Sequence, residues 1–273
     1  MKFYRLFIIV SITFFGVVIF SCKQKDKLDL NSVEQSFEMG NAEKAHADLQ
    51  KMISQDSNQA LNYYTQGNLF SEEGNHKDAI VAFSKCIQLK NDYASAYNNR
   101  GFSYLALDSL SKAMADFNKS IALVPTFAEA YNNRGIAHKQ LADYNKALDD
   151  FKLAYTFTPS YADAYYNTAN TLLLMNKYKE SIRFFEKVIT IAPRFAEAFH
   201  GKAVASYQLG QFEQTVLMES KAILLNANYG QAWYGRGMAN LKMNQKDNAC
   251  NDFRTALNLG VDDARPMMDK SCN

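Results

Sequence analysis

The pattern of apolar and polar positions divides the chain into two parts. Residues 6–20 form one uninterrupted apolar or near-apolar run. From Ala60 onward, apolar residues recur at helical spacing instead, as in Ala113, Phe117 and Ile121. This second pattern repeats every 34 residues as far as residue 261. It predicts helices stacked in series, in which no repeating unit can bury its apolar face alone.

A few places in the 34-residue unit define the pattern. The fourth place is aromatic in every unit: Tyr63, Tyr97, Tyr131, Tyr165, Phe199 and Trp233. The eighth place is small: Gly67, Gly101, Gly135, Ala169, Ala203 and Gly237. The twentieth place is also small: Ala79, Ala113, Ala147, Ser181, Thr215 and Ala249. The twenty-fourth place is aromatic except in the fifth unit: Phe83, Phe117, Phe151, Phe185, Glu219 and Phe253. Small residues let two helix backbones approach closely while the aromatic rings fill the adjoining space.

The period and these residues resemble the tetratricopeptide repeat, or TPR, over about three quarters of the chain. The resemblance implies an all-α, right-handed TPR solenoid of antiparallel helix pairs with a C-terminal capping helix. A degenerate N-terminal repeat is expected at 28–59, because Ala45, Leu49 and Met52 fall in register with the later units. The full repeats are expected at 60–93, 94–127, 128–161, 162–195, 196–229 and 230–261. The remaining segment, 262–273, is expected to be the cap, with Asp262 and Asp263 able to begin its helix.

The N-terminal segment predicts export. Lys2 and Arg5 precede the apolar run, which is short for a membrane span but typical of a signal-peptide core. The run ends in residues 19–22, Ile-Phe-Ser-Cys, which resemble a bacterial lipobox. The resemblance implies a signal peptide at 1–21, a lipid on Cys22 and a polar tether at 22–27. An uncleaved signal anchor, or a chance cysteine beside an ordinary cleavage site, is the alternative.

A lipid on Cys22 predicts the location of the protein. Several acyl chains, palmitate among them, exceed what stable anchoring to a membrane requires. Lys23 is not the aspartate that retains enterobacterial lipoproteins at the inner membrane. We therefore expect an exported bacterial lipoprotein at the outer membrane, facing the periplasm.

The charge of the chain argues against nucleic acid as a partner. The formal net charge is +2, from 30 basic and 28 acidic residues, and no basic stripe of the kind that nucleic-acid binding requires is present.

Cys86 occupies a place that is small in other units, which predicts a buried thiol. Cys250 and Cys272 are predicted to form a disulfide that joins the cap to the last repeat, with two unpaired thiols as the alternative.

The sequence contains no recognisable motif for a catalytic site or a metal site. No histidine has metal-ligand spacing to another histidine, cysteine or carboxylate. No phosphate-binding glycine loop and no recognisable nucleophile triad is present. The chain is therefore predicted to be a non-enzyme without a cofactor or a metal ion.

The TPR resemblance implies that the first helix of each unit lines a concave groove. The sixth place carries a ladder of asparagines, Asn99, Asn133 and Asn167, whose amides match the donors and acceptors of an extended peptide. The other candidate peptide-binding residues lie at the fifth and ninth places: Asn98, Asn132, Tyr64, Tyr166 and Asn170. Alternatively, the asparagines satisfy local backbone groups or bridge neighbouring repeats. Inter-repeat hydrogen bonds are also expected of the arginines at the seventh place, Arg100, Arg134 and Arg236.

Together these features predict a membrane-tethered, non-catalytic scaffold that binds an extended polypeptide in its concave groove. The alternative is a structural subunit of a cell-envelope complex that packs through its convex face or self-associates. Binding of an acidic chaperone C-terminal tail is disfavoured. The resemblance places Glu129 or Asp163 where a lysine of the chaperone-binding carboxylate clamp would stand, and either would repel a carboxylate.

Overall fold

The computed structural model describes residues 29–272, and within this range the secondary structure is entirely helical. The expected signal peptide, Cys22 and the tether lie outside the described residues. None of the helices in residues 29–272 has the length and apolar character needed to cross a membrane.

The helices follow one another along the described residues with short turns between them. The first eight are α1 (Leu30–Glu38), α2 (Ala42–Gln55), α3 (Ala60–Glu72), α4 (His76–Leu89), α5 (Ala94–Ala106), α6 (Leu110–Leu123), α7 (Ala128–Gln140) and α8 (Tyr144–Phe157). The others are α9 (Ala162–Leu174), α10 (Tyr178–Ile191), α11 (Ala196–Gln208), α12 (Phe212–Leu225), α13 (Gly230–Lys242), α14 (Lys246–Asn258) and α15 (Ala264–Ser271).

The helices pack in chain order as pairs. Each odd-numbered helix from α3 to α13 packs on the helix that follows it, and that second helix packs on the first helix of the next unit. First helices also contact the first helices of neighbouring units, whereas within residues 29–272 no pair of successive second helices makes a comparable contact. The first helices therefore lie closer together and form the inner, concave side of the stack.

Four of the helix pairs are closed by a glycine facing a phenylalanine ring. A methyl group on Gly67, Gly101, Gly135 or Gly237 would overlap the phenylalanine at the twenty-fourth place of the same unit. Those rings are fully buried: Phe83, Phe117, Phe151 and Phe253. The pairing of the eighth with the twenty-fourth place that the sequence predicts is confirmed in these units.

The turn between the two helices of a unit always uses a left-handed residue at the fifteenth place. Glycine supplies it in three units, Gly40, Gly74 and Gly210, where φ lies between 73° and 80°. The other units use residues with a side chain: Asp108, Ala142, Asn176 and Asn244. Gly40 lies one period before Gly74, so helices α1 and α2 follow the same register as the full repeats.

The C-terminal helix α15 packs against α14, and a disulfide joins Cys250 to Cys272 across them. The expectation that Asp263 caps this helix with its side chain is wrong. Asp263, the residue before the helix, has helical backbone dihedrals, with φ −58° and ψ −19°, and its carboxylate accepts no capping hydrogen bond.

Cys86 is a free thiol with no exposed surface, as predicted, and burial raises its pKa to about 11.

Candidate functional site

The asparagine ladder on the first helices links one repeat to the next. Asn133 Nδ2 donates to Asn98 Oδ1 at 3.0 Å. Asn167 Nδ2 donates to Asn132 Oδ1, also at 3.0 Å. Each bond therefore joins the sixth place of one unit to the fifth place of the unit before it. Bridging between neighbouring repeats, one of the two roles open from the sequence, is thus part of what these side chains do.

The ladder residues differ in the hydrogen-bonding capacity that they keep. Asn99 donates to Asn68 Oδ1 at 2.9 Å and to the Tyr64 hydroxyl at 3.2 Å, and its oxygen accepts from Asn98 at 3.0 Å. Both amide hydrogens of Asn99 are therefore committed inside the protein. Asn133 and Asn167 are half-buried and spend one hydrogen each, so within the described residues each keeps an N–H and a carbonyl oxygen without a side-chain partner.

Asn98 and Asn132, which the sequence suggests as peptide contacts, are only 5% and 4% exposed. Their oxygens accept from the next repeat, so they support the ladder and do not present it to a ligand. Asn170, at the ninth place of α9, remains half-buried at the groove. The asparagines that keep exposed surface on the first helices of units three and four are thus Asn133, Asn167 and Asn170.

Aromatic side chains at the fifth place are held by the residue that closes the unit. The ring centroids of Tyr64 and Tyr93 are 4.9 Å apart, and those of Tyr166 and Phe195 are also 4.9 Å apart. Such contacts limit the rotamers of both partners. Tyr64 and Tyr166, the predicted aromatic contacts, therefore stand as fixed walls at two positions along the groove.

Carboxylates occupy the second place of three successive first helices: Glu129, Asp163 and Glu197. Burial, followed by the charges of Asp163 and Glu129, raises the pKa of the Tyr161 phenol. Both carboxylates therefore lie within electrostatic range of one phenol, between α8 and α9. The second place of the first helix is thus acidic from the third to the fifth unit.

The arginines at the seventh place are fully engaged in the framework, as expected. Arg134 forms a bidentate pair with Asp150, with N–O distances of 2.9 and 2.7 Å, and donates to Asn118 of the preceding unit at 2.8 Å. Arg100 and Arg236 repeat this geometry with Asp116 and Ser84, and with Asp252 and Ser220. These guanidinium groups hold adjacent repeats together and are not free to bind an anion.

The fourth and fifth units depart from the standard packing in a related way. The eighth place is alanine in both, so the side chain at the twenty-fourth place cannot sit against it as a ring sits against glycine elsewhere. Instead, Phe185 lies against Gly201, at the sixth place of the next unit, where a methyl group would overlap the ring. Glu219 is shifted in the same way and lies against Gly235. Gly201 and Gly235 therefore end the asparagine ladder for a steric reason.

A cavity of about 250 Å³ opens on the groove side of the fifth and sixth units. Glu219 lies in its wall, is only 1% exposed, and accepts hydrogen bonds from His200 Nδ1 at 3.0 Å. Burial raises the pKa of Glu219 to about 7, and the hydrogen bond from His200 opposes this rise. The rest of the wall is mainly apolar or aromatic: Val204, Tyr207, Tyr234 and Met238.

The sequence shows Glu219 as an exception but does not reveal this site. The available signal is that the same unit has histidine at the fifth place, His200, where other units have tyrosine or asparagine. In the first, fourth and sixth units the rings at the fifth and twenty-fourth places lie 5.9 to 6.0 Å apart, so exceptions at both places of one unit indicate a substituted contact. No group of side chains suited to a metal ion occurs in residues 29–272.

Comparison with solved structures finds the same architecture. A subunit in the crystal structure of the APC/C hetero-tetramer Cut9–Hcn1 superposes with a TM-score of 0.75 at 13% identity, over 89% of this chain and 49% of that chain. The present chain thus spans about half of that subunit. A tetratricopeptide repeat protein from Parabacteroides merdae superposes with a TM-score of 0.66 at 21% identity, over 89% of this chain and 97% of that one.

A third structure is that of YrrB, described as a TPR protein with an unusual peptide-binding site. It has a TM-score of 0.52 and 21% identity, over 67% of this chain and 95% of that chain. Comparison with curated proteins found no similar sequence. These structural likenesses establish the fold.

Family models match the repeats directly. A model described as TPR repeat matches residues 67–108, and models described as tetratricopeptide repeat match residues 94–127, 128–161, 162–195 and 230–259. The matches together cover more than half of the chain, and all of them except the match at 67–108 follow the helix pairs of the structure. The chain belongs to the tetratricopeptide repeat family.

Proposed function

We propose that this TPR protein is a non-catalytic scaffold, held at the bacterial outer membrane through a lipid on Cys22, whose concave groove binds an extended polypeptide. The TPR fold supports the general role of a protein-interaction scaffold. The tether, the groove as the site and the extended form of the ligand are specific to this proposal.

The observation that carries the proposal is that the groove amides keep hydrogen-bond donors and acceptors without a partner. Asn133 and Asn167 each spend one hydrogen on the neighbouring repeat and hold a second N–H and an oxygen in fixed positions. An extended chain offers a carbonyl oxygen and an N–H along its length, and amides that are already fixed lose little entropy on binding it. Asn170 supplies a third amide on the same helix as Asn167.

The charge of the groove adds a preference for the partner. Glu129, Asp163 and Glu197 follow one another along the groove, and an acidic surface favours approach of a basic chain. The same row disfavours an acidic chaperone tail, in agreement with the sequence argument.

One observation supports the alternative function, a structural role through the convex side. Leu217 and Leu224, both on α12, expose 49% and 85% of their surface. Isolated apolar residues on a surface are common, so the exposure is weaker support than the preorganised amides of the groove. This alternative places the functional surface on the second helices.

A test by substitution must avoid the residues that bridge repeats. Replacing Asn133 or Asn167 by alanine would remove an inter-repeat bond together with any ligand contact. Asn170→Ala removes a groove amide alone, and Asn248→Ala, an exposed asparagine on the second helix α14, is the matched control. The full-length protein would be used to select binders from a library of random twelve-residue peptides.

We expect the selected peptides to bind Asn170→Ala about 5- to 10-fold more weakly, the effect of one lost hydrogen bond, and to bind Asn248→Ala unchanged. Failure to select any peptide, or equal binding by both variants and the parent, would contradict the groove as the binding site. The lipid is tested separately, by incorporation of radiolabelled palmitate into the wild-type chain and into Cys22→Ala.

A further inference from the structure

We propose that the cavity beside Glu219 and His200 is a specificity pocket that takes the lysine or arginine side chain of a polypeptide lying in the groove. The inference rests on the proposed function, since it names the side-chain chemistry that the same groove selects. Its grounds are the place of Glu219 in the repeat, the chemistry of the cavity wall and the charges around it.

The fold itself does not require a carboxylate at residue 219. The preceding unit has the same arrangement, with alanine at the eighth place and glycine at the sixth place of the next unit, and there Phe185 fills the site with no exposed surface. A phenylalanine at 219 would find the equivalent space against Gly235. Burying a carboxylate instead costs free energy even when it is paired. A binding role accounts for a residue that packing alone disfavours.

The carboxylate lies in the wall of the cavity. Glu219 Oε1 fills the position that a Cβ atom of residue 235 would take, so glycine at 235 makes room for the carboxylate, although only 1% of Glu219 is exposed. Gly235 itself lines the cavity together with Glu219. A cation that enters the cavity would therefore lie beside Glu219, with no side chain of residue 235 between them.

The rest of the wall suits a long basic side chain. Val204 and Met238 offer apolar surface for an aliphatic stem, and Tyr207 and Tyr234 bring aromatic rings, which attract cations, to the same wall. A volume of about 250 Å³ accommodates such a side chain. An acidic side chain would meet Glu219 and be repelled.

The surrounding charges favour a cation over an anion. Helix α11 carries Glu197 as well as His200. One carboxylate oxygen of Glu197 is buried without a hydrogen-bond partner in the part of the chain that the structure describes. Asp263, directly before α15, adds to the effect of burial in raising the pKa of the Tyr234 phenol. Helix α12 contributes the carboxylate of Glu219 to the negative charge of the pocket. On α13, Arg236 influences Glu219 but is held by Asp252. His200 balances one carboxylate at most, and the pocket as a whole is acidic.

The pocket can be tested apart from the rest of the groove with small probes. Full-length protein in mild detergent would be titrated with the N-acetyl, N-methylamide derivatives of lysine, arginine, norleucine and glutamate. Binding would be followed through the methyl resonances of Met238 and Val204, with Met52 in α2, near the other end of the stack, as the distant control. We expect the lysine and arginine probes to bind at least 10-fold more tightly than norleucine, which has a similar shape without the charge.

Two variants complete the design. Glu219→Gln keeps the size of the side chain, and Glu219→Phe reproduces the packing of Phe185. We expect each to weaken the lysine probe at least 10-fold while retaining the helical spectrum and thermal midpoint of a folded chain. Equal binding of norleucine and lysine to the wild-type protein would overturn the proposal, and so would unchanged lysine binding by Glu219→Gln.

The outcomes separate this proposal from the function on which it rests. If peptides depend on Asn170 but show no preference for a basic residue, the groove binds polypeptide and the pocket assignment fails. If the lysine probe binds and depends on Glu219 while no peptide is selected, the pocket stands and the proposed function fails.

Discussion

At the scale of single residues, most of the chain obeys the repeat, and the exceptions carry the information. Glu219 stands where five other units have phenylalanine, and it is buried beside His200. The sequence shows each exception separately. It does not show that they form a hydrogen bond, because the position of the Glu219 carboxylate depends on a shift of the side chain that Ala203 imposes and Gly235 allows.

The raised pKa of Glu219 predicts how stability changes with pH. Folding favours the protonated carboxyl, so its contribution is fully present below the ordinary pKa of 4.5 and is lost as pH rises to about 7. Compared with Glu219→Gln, the wild-type protein should therefore lose on the order of 1–3 kcal/mol of unfolding free energy between pH 4.5 and pH 8.

Urea unfolding of both proteins at these pH values, followed by fluorescence of Trp233, measures this difference. Trp233 is the only tryptophan of the chain and packs against the core of the fifth unit. His200, Glu197 and Arg236 are present in both proteins, so the two chains differ only at residue 219. Identical pH dependence of the two proteins would show that Glu219 does not titrate in this range.

Ala142 is a second exception, because it adopts φ of 58° in a turn where other units use glycine, asparagine or aspartate. A side chain in this region costs about 1–2 kcal/mol, and glycine removes the strain at some cost in chain entropy. Ala142→Gly should stabilise the protein by about 1 kcal/mol, whereas Ala115→Gly, in an exposed part of α6, should destabilise it by a similar amount. Thermal unfolding of both variants measures the two effects, and a loss of stability in Ala142→Gly would refute the assignment of strain.

At the scale of helices, the fold follows from the sequence because most pairs are closed by a small residue and a ring at fixed spacing. The hydrogen bonds between repeats are harder to predict. An asparagine at the sixth place can bond within its helix, to the preceding repeat or to water, and sequence spacing favours none of these. The structure shows that Asn133 and Asn167 reach the preceding repeat, which leaves them half available to a ligand.

The shifted packing of the fourth unit predicts a coupling between two positions. Gly201→Ala should cost about 1–3 kcal/mol, because the new methyl group meets the Phe185 ring. Adding Ala169→Gly should restore part of that loss, since the ring can then sit against residue 169 as Phe151 sits against Gly135. A double-mutant cycle in urea should show a coupling of about 1 kcal/mol or more, and strictly additive effects would contradict this account of the shift.

At the scale of the whole molecule, contacts between successive first helices create a concave side that carries fixed amides, an acidic row and the cavity beside Glu219. The sequence predicts this surface through its family resemblance. It does not predict that Asn98 and Asn132 are buried in the framework, because burial depends on how neighbouring units are arranged in three dimensions.

The central claim is that the concave groove contacts a polypeptide partner, and site-specific photo-cross-linking tests it most directly. A benzophenone amino acid would replace Asn170 in the groove, or the 85% exposed Leu224 on the second helix α12 as the control, in full-length protein in its own membranes. After illumination, mass spectrometry identifies the joined peptides. The account predicts adducts between residue 170 and a segment of a partner polypeptide, with few or none at residue 224. Partner adducts at residue 224 alone would contradict it and place the functional surface on the convex side.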